Sequence, residues 1–217
     1  MAAQTDPTGP GQLDDTTTLD GLRAALDGRW QATRDELRAA LNRRDLLPDP
    51  SLDLSASRAK ILAEMTELAA ADFAAAGFRA DHGGTGDVGT AITGIEMLGY
   101  ADLSLMVKSG VQWGLFGGAI ENLGTERHHR RYVADIINLD LLGSFGMTET
   151  GHGSNVQALE TTATYDPATQ EFVIASTTPL ARKDYIGGAA EHATVSAVFA
   201  QLITAGPGEE PRDHGVH

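Results

Sequence analysis

A run of small and polar residues near the middle of the chain has the composition of a ligand-binding turn. The run reads GSFGMTETGHGSNV over residues 143–156. It predicts a strand that ends in the hydroxyl of Thr148, followed by a glycine-rich turn with Ser154 and Asn155 on its far side. Backbone N–H groups and a hydroxyl placed in this way suit the edge of a planar ligand rich in nitrogen and oxygen. The same spacing fits an ordinary strand-to-loop turn, so spacing alone leaves both interpretations open.

The motif also resembles a known family. Gly-Met-Thr-Glu followed by Gly-His-Gly-Ser-Asn is similar to the flavin-binding signature of the acyl-CoA dehydrogenase and oxidase superfamily, and most of all to that of the acyl-CoA oxidases. Further segments share the resemblance: DLSL at 102–105, GTE at 124–126, LETTATYDP at 159–167, QEF at 170–172 and KDYIGG at 183–188. Together they make the resemblance far more specific than any one of them would.

The resemblance implies a fold and a set of binding roles. The fold is an N-terminal helical domain, a middle β domain and a C-terminal helical domain, with FAD between the last two. Thr148 resembles the residue that hydrogen-bonds the flavin ring, with Met147 and the backbone of Phe145 beside it. Gly187 resembles a glycine that contacts FAD from the next β segment. Ser154 resembles the serine that meets the pantetheine arm of a fatty acyl-CoA.

The reaction implied by the resemblance is α,β-desaturation of a fatty acyl-CoA thioester. A carboxylate base removes the α-proton while the β-hydrogen leaves as hydride to the flavin. In the family that base is a glutamate of the C-terminal helical domain, and no position of this chain matches it. Glu149 lies in the motif, but pairing within the turn is its expected role. The chain is therefore interpreted as the N-terminal part of such an enzyme, inactive alone; the alternative is a non-catalytic subunit that completes a partner's site.

Histidine and arginine clusters give weaker signals. His128 and His129 are adjacent on a predicted helix and point to different sides, so they are poorly placed to bind one metal ion. The basic segment 127–131 is expected to be a solvated helix face rather than a site for a CoA phosphate. His214 and His217 lack the carboxylate pattern of a metal site. The sequence therefore predicts no metal ligands.

Two further features are assigned to structure rather than to ligand binding. Trp113 and Phe116 fall on one helix stripe with Ile120, which favours core packing over an acyl-binding role. The glycine loop at 82–86 lacks the preceding strand that a dinucleotide-binding fingerprint requires.

The elements that must position the motif follow from apolar periodicity. Helical spacing predicts one helix over 19–44, a second over 55–76 stopped by Gly77, two buried helices within 87–123 and a short helix over 125–138 capped by Thr125. Strands are predicted at 141–145, 159–165, 172–174 and 193–203, with another beginning at Gly215.

This order predicts an α+β fold, an all-α helical domain followed by an incomplete antiparallel β domain. The expected boundaries are a disordered lead at 1–18, helices over 19–139 and the partial β domain over 140–217. An unfinished sheet leaves an open edge and uncovered apolar faces. We therefore expect the sheet to be completed by a partner chain, by self-association, or by further chain that carries the C-terminal helices.

Composition excludes several classes of protein. A formal net charge of −14 disfavours binding to nucleic acid or anionic membranes through charge. The absence of cysteine excludes disulfides, thiolate metal sites and a thiol nucleophile. No apolar run is long enough to span a membrane, and neither end carries a recognisable targeting signal. These features predict a cytoplasmic location.

Overall fold

The computed structural model describes residues 15–206 and 208–217. The predicted disordered lead lies outside these residues up to position 14, and its last residues belong to the first helix instead. Helices occupy the chain up to Ile137, and strands follow from Gly143 to Val216. This order confirms the predicted α+β fold class.

The helices form a bundle that precedes every strand. They are α1 (Asp15–Asp27), α2 (Gln31–Leu41), α3 (Leu54–Ala70), α4 (Val88–Leu98), α5 (Leu103–Ser109), α6 (Gly118–Leu123) and α7 (Glu126–Ile137). A π-helix, Gly110–Gly117, joins α5 to α6, and a 3₁₀ turn, Ala80–His82, lies in the loop before α4. The chain breaks between α4 and α5, as expected for the two helices predicted within 87–123.

Two helix predictions are wrong because the backbone turns left-handed inside them. The single helix expected over 19–44 breaks at Gly28, whose φ is +56°, a value that glycine adopts without steric cost. The helix expected to stop at Gly77 ends at Ala70, and Asp72 takes the positive φ of 55°. The apolar side chains of Leu19 and Leu26 on α1 are exposed.

The core lies between α3, the α4–α6 region and α7. Its fully buried side chains include Met65, Leu98, Leu105, Phe116, Val133 and Ile136. Trp113 is 6% exposed and its indole N–H donates to the carbonyl of Ile136 at 3.0 Å. The prediction that Trp113 and Phe116 are core residues is confirmed.

The strands are β1 (Gly143–Gly146), β2 (Thr162–Asp166), β3 (Glu171–Ala175), β4 (Val195–Val198), β5 (Gln201–Thr204) and β6 (Arg212–Val216). Within the described residues they form two sheets, β1–β4 and β3–β2–β5–β6. The β2–β3 and β5–β6 pairs are antiparallel, but β1–β4 and β2–β5 are parallel. The purely antiparallel prediction is therefore wrong, as is the single strand over 193–203, which is interrupted at Phe199 and Ala200.

Apolar residues on the strands remain uncovered. Phe172, Val173 and Ile174 of the edge strand β3 are each more than half exposed. Val195 and Val198 of β4 are 40% and 41% exposed. An open edge beside exposed apolar side chains favours association with another chain or segment.

The π-helix attaches β1 to the helical bundle. The side-chain amide of the buried Gln112 donates to the carbonyl of Leu141 at 2.8 Å and its oxygen accepts from the amide of Gly143 at 2.9 Å. A Cβ at Gly143 would lie 2.0 Å from the ring of Phe116, so only glycine fits there. These contacts fix where β1 begins and hence where the motif after it is presented.

Candidate functional site

The glycine-rich motif leaves β1 and closes into a tight turn. Glu149 donates its amide to the carbonyl of His152 at 3.2 Å, and the amide of His152 donates back to the carbonyl of Glu149 at 3.1 Å. Thr148 immediately before this turn and Ser154 immediately after it are exposed. The turn therefore presents both hydroxyl-bearing residues at the surface.

Glu149 is the structural anchor of the turn. Its side chain is fully buried. Its carboxylate accepts from the backbone amides of Glu160 at 2.8 Å and Thr161 at 3.0 Å, and from the ammonium of Lys183 at 3.3 Å. The predicted pairing role of Glu149 therefore has a direct structural basis, although its partners lie outside the turn itself.

The environment of Glu149 keeps it ionised. Burial by itself raises the pKa of Glu149, but hydrogen bonds from Thr161 and Glu160, together with Lys183, outweigh this effect and lower the pKa below its usual value. A buried carboxylate with its oxygens already committed to these donors is poorly placed to take a proton from a substrate. The geometry and the lowered pKa of Glu149 therefore favour a positioning role over that of a general base.

A second segment lies alongside the motif. The amide of Thr150 donates to the carbonyl of Arg182 and the amide of Gly151 to the carbonyl of Leu180, each at 2.9 Å. Lys183 also donates to the carbonyl of Met147 at 2.9 Å. The segments 147–151 and 180–183 are therefore held together, and the second segment leads into the KDYIGG stretch that shares the family resemblance.

The residues predicted to bind flavin and substrate differ in burial and in their contacts. Phe145 packs against Phe199 with ring centroids 4.9 Å apart, and Met147 is half-buried. Within the described residues, the hydroxyls of Thr148 and Ser154 have no hydrogen-bond partner from the protein, so both are available to a ligand. This geometry fits a group that accepts hydrogen bonds at the end of β1.

Gly187 lies apart from Thr148. It lines a cavity of about 180 Å³ between the π-helix and the start of β1, together with Val111, Gln112 and Gly143. Thr148 is not among the residues that line this cavity, so Gly187 and Thr148 are not brought into one cavity.

The same cavity contains a pair that the sequence did not reveal. The ammonium of Lys108 lies 2.8 Å from Nδ1 of His192. Burial and the neighbouring Lys108 lower the pKa of His192, and burial also lowers the pKa of Lys108. No sequence signal identifies this pair, because the two residues lie far apart in the chain on elements that only the fold brings together.

The histidines of α7 divide between two environments. His128 is exposed and its Nδ1 accepts from the amide of Thr125 at 3.0 Å, completing the N-terminal cap. His129 instead packs against His82, with ring centroids 4.2 Å apart. The prediction of a solvated face is wrong for His129, because α7 turns this side chain toward the loop before α4.

The family model of the acyl-CoA dehydrogenase N-terminal domain matches residues 31–140, about half of the chain. The chain therefore belongs to the acyl-CoA dehydrogenase N-terminal domain family. This result confirms the superfamily that the motifs resemble.

Curated relatives are acyl-CoA oxidases. Acyl-coenzyme A oxidase 2, peroxisomal, from Arabidopsis thaliana is 48% identical over 126 residues, which cover 57% of this chain and 18% of the relative. Peroxisomal acyl-coenzyme A oxidase 3 from Homo sapiens is 42% identical over 123 residues, covering 57% and 17%. The matched region thus spans less than a fifth of either relative.

Solved structures share the fold over most of the chain. Acyl-CoA oxidase 1 from Yarrowia lipolytica aligns with a TM-score of 0.73 and 26% identity, covering 90% of this chain and 27% of that one. Acyl-CoA oxidase 3 from the same yeast gives a TM-score of 0.69 and 31% identity, covering 91% and 27%. The chain therefore spans about a quarter of these oxidases.

The comparisons also bear on location. The names of both curated relatives include the word peroxisomal, which differs from the cytoplasmic location predicted here. Among the residues with described positions, no helix is long and apolar enough to cross a membrane.

Proposed function

We propose that this chain is the N-terminal part of an FAD-dependent acyl-CoA oxidase, in which helices up to residue 139 and the partial β domain from 140 onward support one half of the flavin site. The observation that carries the proposal is the unpartnered hydroxyl of Thr148, two residues beyond the end of β1, next to the Glu149–Lys183 pair that holds the turn. The likeness to acyl-CoA oxidases over 90% of the chain supports it.

The residues present fit FAD at this edge. Thr148 is free to hydrogen-bond the flavin ring, and Lys183 fixes the carbonyl of Met147 beside it. Phe145 packs its ring against Phe199 and so helps to hold β1 in place. Gly187 would meet a more distant part of the cofactor. When bound, FAD supplies the acceptor for the β-hydride of the substrate.

The proposed substrate is a fatty acyl-CoA thioester. Ser154, exposed beyond the turn, is placed to hydrogen-bond the pantetheine arm of such a substrate. Glu149 keeps the turn in position without removing a proton. The α-proton is taken by a carboxylate outside the described residues, on the C-terminal helices or on a partner chain.

A second candidate function is a non-catalytic subunit that completes the flavin and acyl-CoA site of a partner. The exposed apolar residues on β3 and β4 favour such an association, or self-association, as readily as cover by further chain. The reading frame beyond His217 separates the two candidate functions: an in-frame extension supports the N-terminal-part proposal, whereas a stop codon and copurification with a longer homologue support the subunit.

A cytoplasmic location stays a prediction, and the names of the relatives do not support it.

Thr148→Ala should weaken FAD binding by about 1–2 kcal/mol, a factor of roughly five to thirty, because it removes one hydrogen bond in a mostly buried complex. Ser154→Ala should leave the FAD dissociation constant unchanged and weaken binding of acyl-CoA instead. The measurements are titrations of the apoprotein with FAD and then with a substrate analogue, carried out in the presence of the further chain or partner that the proposal requires.

Each variant is the matched control for the other, since both remove one exposed hydroxyl from the same motif. An unchanged FAD dissociation constant in Thr148→Ala contradicts its role. Loss of FAD with retained acyl-CoA affinity in Ser154→Ala reverses the two assignments.

A further inference from the structure

Three potential metal ligands meet away from the flavin motif. His82 ends the 3₁₀ turn before α4, while Glu126 and His129 lie on the first turn of α7. Each offers one ligand atom, and these atoms lie within 4.8 Å of one another. The packing of the 82–86 loop against α7 creates this cluster from residues more than forty positions apart.

Two nitrogens in the cluster are buried without a partner. Nε2 of His82 and Nε2 of His129 are both shielded from solvent and make no hydrogen bond. The side chain of His82 is only 6% exposed. Buried polar atoms are nearly always satisfied, so two unpaired imidazole nitrogens side by side call for a ligand that accepts both lone pairs.

A third contact orients His82 for this purpose. Its Nδ1 lies 2.8 Å from a carboxylate oxygen of Glu121, whose side chain is 5% exposed. The other oxygen of Glu121 accepts from the backbone amide of Arg79 at 3.1 Å, which fixes the carboxylate. A carboxylate at Nδ1 holds the proton there and leaves Nε2 as the lone-pair donor, as in carboxylate–histidine–zinc arrangements.

We propose that His82, His129 and Glu126 bind a zinc-type divalent cation, with water in a fourth position. Two imidazoles and one carboxylate suit zinc or cobalt better than magnesium or calcium, which prefer oxygen ligands throughout. Tetrahedral bonds of about 2.1 Å place ligands about 3.4 Å apart, so the cluster has to contract on binding. Glu126 makes an exposed ion pair with Arg130 at 3.5 Å, and it would exchange this weak pair for the cation on binding.

A bound ion would have a structural consequence. The backbone at Gly124 packs closely against the imidazole of His129, since a Cβ at this position would lie 3.3 Å from its Nε2. A bound cation would tie the 82–86 loop to α7. We therefore expect metal to raise the thermal stability of the helical bundle without taking part in the flavin chemistry.

The test uses Co²⁺ as a spectroscopic probe on the 217-residue chain as it purifies, alone or with a partner, after chelator treatment. The expected result is one Co²⁺ per chain with the intense visible absorption of tetrahedral coordination, displaced by equimolar Zn²⁺. Absence of this absorption, together with no Zn²⁺ binding by calorimetry, overturns the proposal.

Variants locate the site. Glu121→Gln should weaken Co²⁺ binding by about 10- to 100-fold through loss of the carboxylate behind His82. His82→Ala and His129→Ala should weaken it further. Glu126→Gln alters an exposed side chain, so it tests the site even where a histidine variant fails to fold, and it should also weaken binding.

His128→Gln is the matched control. It removes the adjacent imidazole of α7, and glutamine preserves the capping interaction with Thr125. Binding should be unchanged in this variant. Weakened binding in His128→Gln, or unchanged binding in both His129→Ala and Glu126→Gln, contradicts the assignment.

Discussion

The 217-residue chain expressed by itself is expected to purify without FAD and to show no acyl-CoA desaturation. On the proposed function the catalytic base lies outside this chain, and general-base catalysis typically contributes about 10²–10⁴-fold in rate. Thr148 and Ser154 lie exposed, so a flavin bound there would keep one face in water. The few contacts that this edge offers do not offset the free energy cost of immobilising the cofactor.

The measurement combines three readouts on the purified chain: visible absorbance, acyl-CoA-dependent bleaching of added FAD and release of peroxide. The same assays on the protein completed by its C-terminal helices or its partner provide the control. Size-exclusion chromatography should show aggregation or a partner, because the apolar residues of β3 are exposed at a sheet edge. A yellow, monomeric and active preparation of the chain alone contradicts the proposal.

Glu149→Ala should lower the free energy of unfolding by about 2–3 kcal/mol, because it leaves buried backbone amides without their acceptor and the partly buried ammonium of Lys183 without its counter-charge. The variant deprives Lys183 and the backbone amides of Glu160 and Thr161 of their acceptor, and all three surround a side chain that is fully buried. Urea denaturation monitored by circular dichroism measures this loss. Glu171→Ala, which removes an exposed glutamate of β3, is the control and should change stability little.

The effect of Glu149→Ala should depend on pH. The pKa of Glu149 is lowered in the folded state, so its contribution to stability is complete above the unfolded pKa of about 4.3 and is lost as pH falls through the lower folded value. The difference between wild type and variant should therefore be constant near neutral pH and shrink under acidic conditions. A difference that grows on acidification contradicts the charged, hydrogen-bonded role of Glu149.

Local sequence information was sufficient for several elements. Thr125 followed by a helical apolar period predicted α7 and its cap, since both signals act within a few residues. The residue patterns at 159–165 and 172–174 predicted the strands that pair as β2 and β3. The break at Gly28 was missed because helical periodicity on both sides concealed a single left-handed residue.

The sequence by itself determined the family, the order of helices before strands and the motif that offers Thr148 and Ser154. Only the tertiary structure decided which residues support that motif. Glu149 finds its partners at Thr161 and Lys183, and His129 meets His82, across long separations in the chain. Periodicity and capping act between neighbours, whereas these contacts depend on how distant segments pack, so no local pattern encodes them.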